Sequence, residues 1–334
     1  MAGLRLFRRG AGWVWRRSLT GYPPLNELRA RFARSFAASS ETRGVRPENM
    51  VWIFGSGRSG STWLRSMMGE MEDHKVWEEP LVGRLFGEFH ENAQSGQLRA
   101  RNFVMGEPTR EGWIRSIRNF VLDGAQYVHP LLGAGHYLII KEPNGSVGAP
   151  LIMEALPESR MIFLVRDPRD VVASVMDGAR RGSWLYEWGE KGAFKRDAIA
   201  DERPNAYAQK RANIYLRHAG GAKAAYDAHR GPKALVRYED LTADTLGTMR
   251  RIYADLRIAV DDDELARSVS KHSWENIPEE EKGSGKFYRK GKAGSWREDL
   301  SPGQVKIVEE VTAPLLKEFY PREARSRGER SNSS

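Results

Sequence analysis

Short apolar segments alternate with amphipathic stretches along most of this chain. The segments with the length and composition of buried strands are 51–54, 136–140, 161–165 and 234–236. Apolar residues recur at helical spacing in 61–71, 111–127, 168–179, 205–229 and 301–319. Short apolar strands that alternate with helices are typical of an open parallel sheet covered on both faces. The pattern therefore predicts an α/β fold with three layers, α/β/α, around a central, mainly parallel sheet.

Charge divides the chain into a basic N-terminal extension, 1–48, a folded domain, 49–322, and a polar tail, 323–334, that we expect to be disordered. Residues 1–50 carry ten Arg, no Lys and three acidic residues, a net charge of +7. The remaining residues carry 43 basic and 41 acidic side chains, so the folded domain is nearly neutral. A nucleic-acid-binding protein would spread a basic face over its folded domain, so we expect no nucleic-acid partner.

The extension mixes Arg with Leu, Phe and Trp and has neither an apolar run of about 18 residues nor an uninterrupted signal-peptide core. Such a segment suits an anionic membrane surface, an organelle transit peptide, or a tail that packs on the domain. These three interpretations stay open. We expect a cytoplasmic protein, with peripheral membrane contact through the extension or organelle import as the alternatives.

The composition limits the chemistry that the chain can perform. It contains no Cys, which excludes disulfides, thiolate metal sites and a cysteine nucleophile. The His and acidic residues form no cluster with metal-ligand spacing, so we expect no metal site.

A glycine-rich loop, Gly55–Gly60, follows the first predicted strand and precedes a predicted helix. It has the frame of a Walker A loop, but Ser61 occupies the position of the required Lys. Unpaired backbone N–H groups at the helix N-terminus would still bind an anion, and Arg58 supplies a cation. A kinase or nucleotidase, which uses the Walker Lys and an Mg²⁺ ion, is a weaker alternative.

The run Arg58-Ser59-Gly60-Ser61-Thr62-Trp63 resembles the first signature of the sulfotransferases that use 3′-phosphoadenosine 5′-phosphosulfate (PAPS). The resemblance implies a P-loop-like core that binds the 5′-phosphosulfate. In it Arg58 would neutralise the bridging oxygen and Thr62 would hydrogen-bond the 5′-phosphate. Trp63 would stack on adenine; the alternative for Trp63 is an ordinary core position.

A second signature of that family is a strand that ends in Arg, followed by Ser eight residues on. Here Arg166 follows the strand 161–165, and Ser174 lies eight residues further along. Pro168 suits the first turn of a helix, which puts Ser174 about two turns along it. The resemblance assigns Arg166 and Ser174 to the 3′-phosphate of PAPS. The alternative is a local ion pair between Arg166 and Asp167.

Two further matches lie nearer the C-terminus. Tyr238 follows the last predicted strand, where the family has a Tyr that contacts the nucleotide. Arg289-Lys290-Gly291, with a Gly and a Trp a few residues on, resembles the family's loop that closes over the 3′-phosphate. Its Gly- and Lys-rich flanks predict a mobile lid. The resemblance spans about 50–320 and implies that the folded domain is a sulfotransferase domain with PAPS as co-substrate.

Transfer to a hydroxyl needs a base that takes the proton. Family members with a Lys-x-His segment use that His, but here the segment is Lys141-Glu142-Pro143. In the tyrosine-directed members a Glu lies 21 residues after the loop's Arg, and counting in this chain gives Glu79. Glu79 is the leading candidate and Glu142 the second, with Lys141 to stabilise the sulfuryl oxygens. Glu78 is expected to point away from Glu79 if both lie on an extended strand.

The acceptor is the least determined part of the prediction. Aromatic residues in 80–135 and 180–205 would suit a sugar or a lipid-linked acceptor. A Glu base and the Arg-rich extension favour the hydroxyl of a carbohydrate or glycolipid. A peptide tyrosine and a small alcohol or phenol remain alternatives, as does a non-catalytic peripheral membrane protein that binds a nucleotide.

Overall fold

A five-stranded parallel sheet forms the centre of the domain, in the order β2-β3-β1-β4-β5. The computed structural model describes residues 44–94, 103–133, 135–191 and 200–321. The strands are β1 Met50–Gly55, β2 His74–Glu78, β3 Tyr137–Lys141, β4 Arg160–Val165 and β5 Lys233–Arg237. The predicted α/β class and parallel sheet are confirmed. Strand β2 was not predicted, because an edge strand with alternating polar residues has no continuous apolar run.

Helices connect the strands and cover both faces of the sheet. Within the described ranges the α-helices are α1 Ser61–Met68, α2 Val82–Gln94, α3 Arg110–Val128, α4 Ala149–Ala155, α5 Pro168–Gly178, α6 Trp184–Lys191, α7 Pro204–Ala228, α8 Tyr238–Ala243, α9 Thr245–Asp255, α10 Asp262–Lys271, α11 Trp296–Asp299 and α12 Pro302–Phe319. Short 3₁₀ turns are Pro47–Asn49, Glu107–Thr109, Pro143–Gly148, Trp274–Asn276 and Glu279–Glu281. No helix of the described ranges is long and apolar enough to cross a membrane.

The alternation of side chains along β1 explains the three layers. Trp52 and Phe54 belong to the core cluster that includes α3, α4 and α7. Val51 and Ile53 belong to the cluster on the opposite face, with α1 and α9. Successive residues of a strand point to opposite faces, so a strand that is fully buried supplies both cores.

The predictions for the extension and the tail largely fall on residues 1–43 and 323–334, which lie outside the described residues. Among the described residues, the N–H of Val45 donates to Gln126 Oε1 at 2.9 Å. The Ser159 hydroxyl donates to the carbonyl of Pro47 at 2.9 Å.

Parallel strands bring the chemically distinctive residues to one edge of the sheet. Arg166 and Tyr238 follow β4 and β5, and the glycine-rich loop follows β1. Lys141 ends β3, and Glu79 follows β2. Because these loops all leave carboxyl ends of neighbouring strands, they meet where ligands bind in open α/β sheets.

Close backbone contacts fix the start of α2 against the turn after β3. An added Cβ at Gly87 would lie 2.5 Å from the amide nitrogen of Gly148. One at Gly83 would lie 2.3 Å from the carbonyl oxygen of Gly145. Side chains at these positions would push the helix off the turn, so the small residues determine where the loop between β2 and α2 lies.

Replacing Gly87 with Ala should therefore destabilise the domain. The obstructing atom is backbone, so the extra methyl should cost about 1–3 kcal/mol in the free energy of unfolding, measured in urea. Gly112→Ala in α3 is the matched control, because its Cβ would meet nothing within 4 Å. That variant should be as stable as the wild type or slightly more so. Equal stability of the two variants would contradict the close-contact explanation.

Candidate active site

The loop after β1 depends on a glycine at the start of α1. Gly60 has φ 94° and precedes the first residue of the helix. An added Cβ there would lie 2.6 Å from the ring of Tyr238, so both the conformation and the close approach require glycine. Arg58, inside the loop, also has a positive φ, 68°. A non-glycine residue in this region is uncommon and often marks a functional turn.

The Arg58 guanidinium connects the loop to two distant segments. Its Nε donates to Ser174 Oγ on α5 at 3.1 Å. A terminal nitrogen donates to the carbonyl of Phe287 at 2.5 Å. The group also lies beside two aromatic rings, 5.1 Å from the centroid of Trp184 and 4.6 Å from that of Phe287. The two predicted anion-binding motifs are thus in direct contact.

Three arginines converge on this site. Arg166 donates to the carbonyl of Arg58 at 3.1 Å and lies 4.0 Å from the ring centroid of Tyr238. Burial, together with the charges of Arg166 and Arg289, lowers the pKa of Arg58 to about 10, so Arg58 remains a cation at neutral pH. Arg166 Nε is buried without a hydrogen-bond acceptor. A buried donor beside concentrated positive charge favours a bound anion.

These residues line an open pocket. The predicted nucleotide-binding residues that line it are Arg58, Gly60, Ser61, Thr62, Trp63, Arg166, Ser174, Tyr238, Arg289, Lys290 and Gly291. Ser59 is the exception, because it is fully buried and its hydroxyl donates to the carbonyl of Ser56 at 2.6 Å. Its side chain closes the turn of the loop.

Other pocket residues were not predicted. They are Thr242, His272, Trp274, Ile277, Phe287 and Tyr288. Trp63 Nε1 donates to the carbonyl of His272 at 2.7 Å, which orients the Trp63 ring at the pocket wall. Of these six residues, only the aromatic ones near the lid motif could have been identified as pocket candidates from the sequence.

Lys141 joins the loop to the candidate bases. Its Nζ lies 3.2 Å from Thr62 Oγ1, 2.9 Å from Glu78 Oε1 and 2.8 Å from Glu79 Oε1. The other oxygen of Glu79 accepts from Asn144 Nδ2 at 2.6 Å. The structure therefore brings Glu79 and Lys141 to the pocket's edge beside Thr62.

The expectation that Glu78 points away from Glu79 was wrong. Glu78 pairs in register with Lys141 across the parallel strands, and residues paired in this way face the same side. Strand β2 ends there, and Glu79 has φ 43°, so the alternation of an extended strand does not continue. The strand register thus directs the Glu78 carboxylate to Lys141, and the left-handed turn directs the Glu79 carboxylate there.

Glu142 lies beneath the loop that carries Glu79. It is fully buried, and its oxygens accept from the backbone N–H of Leu81 at 2.9 Å and of Gly83 at 3.2 Å. Burial raises the pKa of Glu142 to about 7, although the backbone hydrogen bonds partly offset it. The Glu142 carboxylate thus contacts the N-terminal region of α2, and the structure does not bring it to the pocket.

The predicted lid motif forms the far wall of the pocket. Arg289 is buried, donates to Ser295 Oγ at 2.8 Å and pairs with Asp299. Lys290 contacts Glu298 at 2.8 Å and Asp299 at 2.9 Å, and these hydrogen bonds raise its pKa. Lys290 therefore remains charged at neutral pH.

Among the described residues, no group of three or more His, Asp or Glu side chains is arranged to hold a metal ion.

Comparison with known proteins agrees with the fold and the motifs. Residues 51–262 match the model of the sulfotransferase family. The structure is similar to sulfotransferase STF9 from Mycobacterium avium, with a TM-score of 0.52 and 13% identity over 83% of this chain and 78% of that one. Mouse sulfotransferase SULT7A1, solved with PAP, gives a TM-score of 0.49 and 13% identity, covering 82% of this chain and 86% of that one. No curated protein sequence matches significantly. Because the family model covers more than half of its residues, the chain belongs to the sulfotransferase family.

Proposed function

We propose that this protein transfers the sulfuryl group of PAPS to a hydroxyl of a carbohydrate or glycolipid. The contact between the loop after β1 and α5, at Ser174, carries the proposal. Arg58 donates to Ser174 there, and Arg166 donates to the backbone of Arg58. Two anion-binding motifs in direct contact suit a nucleotide with phosphates at both the 5′ and 3′ positions of one ribose. A crystal structure of a similar sulfotransferase contains PAP, the corresponding product.

In the proposed reaction the acceptor oxygen attacks the sulfur of PAPS. A new sulfur–oxygen bond forms as the bond from sulfur to the bridging oxygen of the phosphosulfate breaks, and 3′,5′-ADP leaves. Arg58 and the N-terminus of α1 stabilise the negative charge that develops on the leaving phosphate. Lys141, beside Thr62, stabilises the oxygens of the transferring group.

Glu79 fits the role of the base better than Glu142 does. Its side chain is 30% exposed, so an acceptor hydroxyl can approach it. Both oxygens of Glu79 are oriented by polar neighbours, Lys141 and Asn144. Glu142 is enclosed and hydrogen-bonded to backbone. We therefore propose that Glu79 takes the acceptor's proton and that Glu142 supports the turn that carries Glu79.

An apolar stripe next to Glu79 supports an acceptor with a lipid portion. Leu81, Leu85 and Phe89 are 37%, 55% and 46% exposed. They recur every four residues from the loop into α2 and so share one face. A sugar hydroxyl at Glu79 would leave an attached apolar chain beside this stripe. A peptide tyrosine and a small phenol remain the alternatives in an acceptor screen with labelled PAPS.

Nucleotide selectivity tests the reaction class. Calorimetry should show 3′,5′-ADP binding roughly 100-fold or more tighter than 5′-ADP, because only the former offers a 3′-phosphate to Arg166 and Arg289. Equal affinities would contradict the proposal. Tight binding of ATP without affinity for 3′,5′-ADP would instead favour a kinase or nucleotidase.

Replacement of Glu79 tests the base. Glu79→Gln should keep its affinity for 3′,5′-ADP but lose about two to four orders of magnitude in single-turnover transfer from labelled PAPS. Glu78→Gln is the matched control, because Glu78 also contacts Lys141 but is more exposed. Its loss should be much smaller. Normal turnover of Glu79→Gln would assign the base to Glu142.

The pH dependence of stability tests the role of Glu142. Its pKa in the folded protein, about 7, exceeds the ordinary 4.5, so folding favours its protonated form. The stability that it contributes is present below the ordinary pKa and is lost as the pH rises through about 7. Relative to Glu142→Gln, the wild type should lose about 3 kcal/mol of unfolding free energy between about pH 4.5 and about pH 8. Parallel urea-unfolding curves for the two proteins across this range would refute a buried, protonated Glu142.

A further inference from the structure

One face of α5 carries two carboxylates on either side of Ser174. Asp170, Ser174 and Asp177 are spaced four and three residues apart and therefore share a face of the helix. Asp170 is fully buried, and Asp177 is 8% exposed. Buried carboxylates near three arginines and an anion site would weaken anion binding unless hydrogen-bond donors offset their negative charge. The hydrogen-bond partners of Asp170 and Asp177 show which groups offset this negative charge.

Asp170 holds the C-terminal end of the lid. Its Oδ2 accepts from the N–H of Gly294 at 2.6 Å, and its Oδ1 accepts from the N–H of Trp296 at 2.9 Å. The hydroxyl of Ser295 also lies 3.2 Å from Oδ1, and that same hydroxyl accepts from Arg289 at 2.8 Å. Asp170 thus fixes the group that orients the Arg289 guanidinium.

Asp177 holds the N-terminal end of the lid in the same way. Its Oδ1 accepts from the Ser284 hydroxyl at 2.6 Å, and its Oδ2 accepts from the N–H of Gly285 at 2.7 Å. Two residues further on, the carbonyl of Phe287 accepts from Arg58 at 2.5 Å. Asp177 therefore fixes the backbone that orients Arg58.

We propose that Asp170 and Asp177 are positioning residues. They hold the segment 285–294, the recognition loop, in the conformation that binds the nucleotide. The two carboxylates lie about 10.5 Å apart along the helix, seven residues at 1.5 Å each, and the loop spans them above Ser174. Asp170 positions Arg289 for the 3′-phosphate, whereas Asp177 positions Arg58 for the transfer step. This inference rests on the proposed function.

The recognition loop is therefore anchored at both ends in this structure, although its sequence predicts a mobile lid. The anchors are carboxylates on the helix that also carries Ser174. Helix α5 therefore sets the distance between Ser174 and Arg289, the two groups that the nucleotide would contact. Preorganisation of this kind lowers the cost of ordering the loop on binding.

Asp170→Asn tests the first anchor with almost no change of shape. Because Gly294 and Trp296 donate to different oxygens, an amide must turn its NH₂ toward one of these donors. The Kd for 3′,5′-ADP, measured by calorimetry, should rise about tenfold to hundredfold, while that for 5′-ADP should change less than about twofold. Asp261→Asn is the control, because that carboxylate likewise accepts a backbone N–H, from Glu264, at the start of α10. It should leave both affinities unchanged.

Asp177 is tested by comparing two substitutions. Asp177→Ala removes both anchoring contacts and should lower kcat at saturating PAPS by about tenfold. Asp177→Asn should recover much of that loss, because its carbonyl can accept from Gly285 and the Ser284 hydroxyl can accept from its NH₂. Equal losses in the two variants, or no loss in Asp177→Ala, would overturn the assignment of Asp177.

The wild-type measurement separates this inference from the proposed function. If wild-type protein does not prefer 3′,5′-ADP over 5′-ADP, the proposed function fails. If the wild type has that preference and Asp170→Asn keeps it in full, only the role of Asp170 fails. A lower midpoint of thermal unfolding with unchanged selectivity would reveal a merely structural aspartate and would also overturn the inference.

Discussion

The contact of Arg58 with Ser174 on α5 is the interaction on which the rest of the site depends. Arg58 has a left-handed backbone conformation. Its side chain donates to Ser174 and packs beside two aromatic rings. Gly60 permits this geometry, because any side chain there would collide with Tyr238. Arg58 thus joins the loop, α5 and the recognition loop, and burial together with the neighbouring arginines lowers its pKa to about 10.

Carboxylates balance this positive charge, and their burial separates their roles. Asp170 and Asp177 are buried and accept from backbone N–H and hydroxyl groups, so their charge holds the recognition loop. Glu142 is buried as well and holds the turn before α2. Glu79 is partly exposed; one of its oxygens contacts the Lys141 ammonium, and the other accepts from Asn144. The same functional group thus serves as a scaffold where it is enclosed and as a candidate base where a substrate can approach it.

Much of the fold followed from periodicity alone. Strands β1, β3, β4 and β5 and the long helices α3, α7 and α12 were predicted to within a few residues, because apolar runs and helical spacing record burial on one or two faces. Helices α2, α4, α6, α9 and α10 were not predicted. The edge strand β2 and the short helices α8 and α11 were also missed. Their residues are half exposed or lie in turns, where tertiary contacts rather than pattern determine the conformation.

The sequence by itself determined the fold class, the family, and the two motifs at Arg58 and Arg166, because these depend on local patterns of spacing and residue type. Tertiary structure alone decided which glutamates contact the ammonium of Lys141. Glu78 and Glu79 both face Lys141. The strand register sets the direction of the Glu78 side chain, and a left-handed turn sets that of Glu79. Tertiary structure also decided that Asp170 and Asp177 accept hydrogen bonds from a segment more than 100 residues away in the sequence. No local pattern records such pairings, because they arise only when helix and loop pack together.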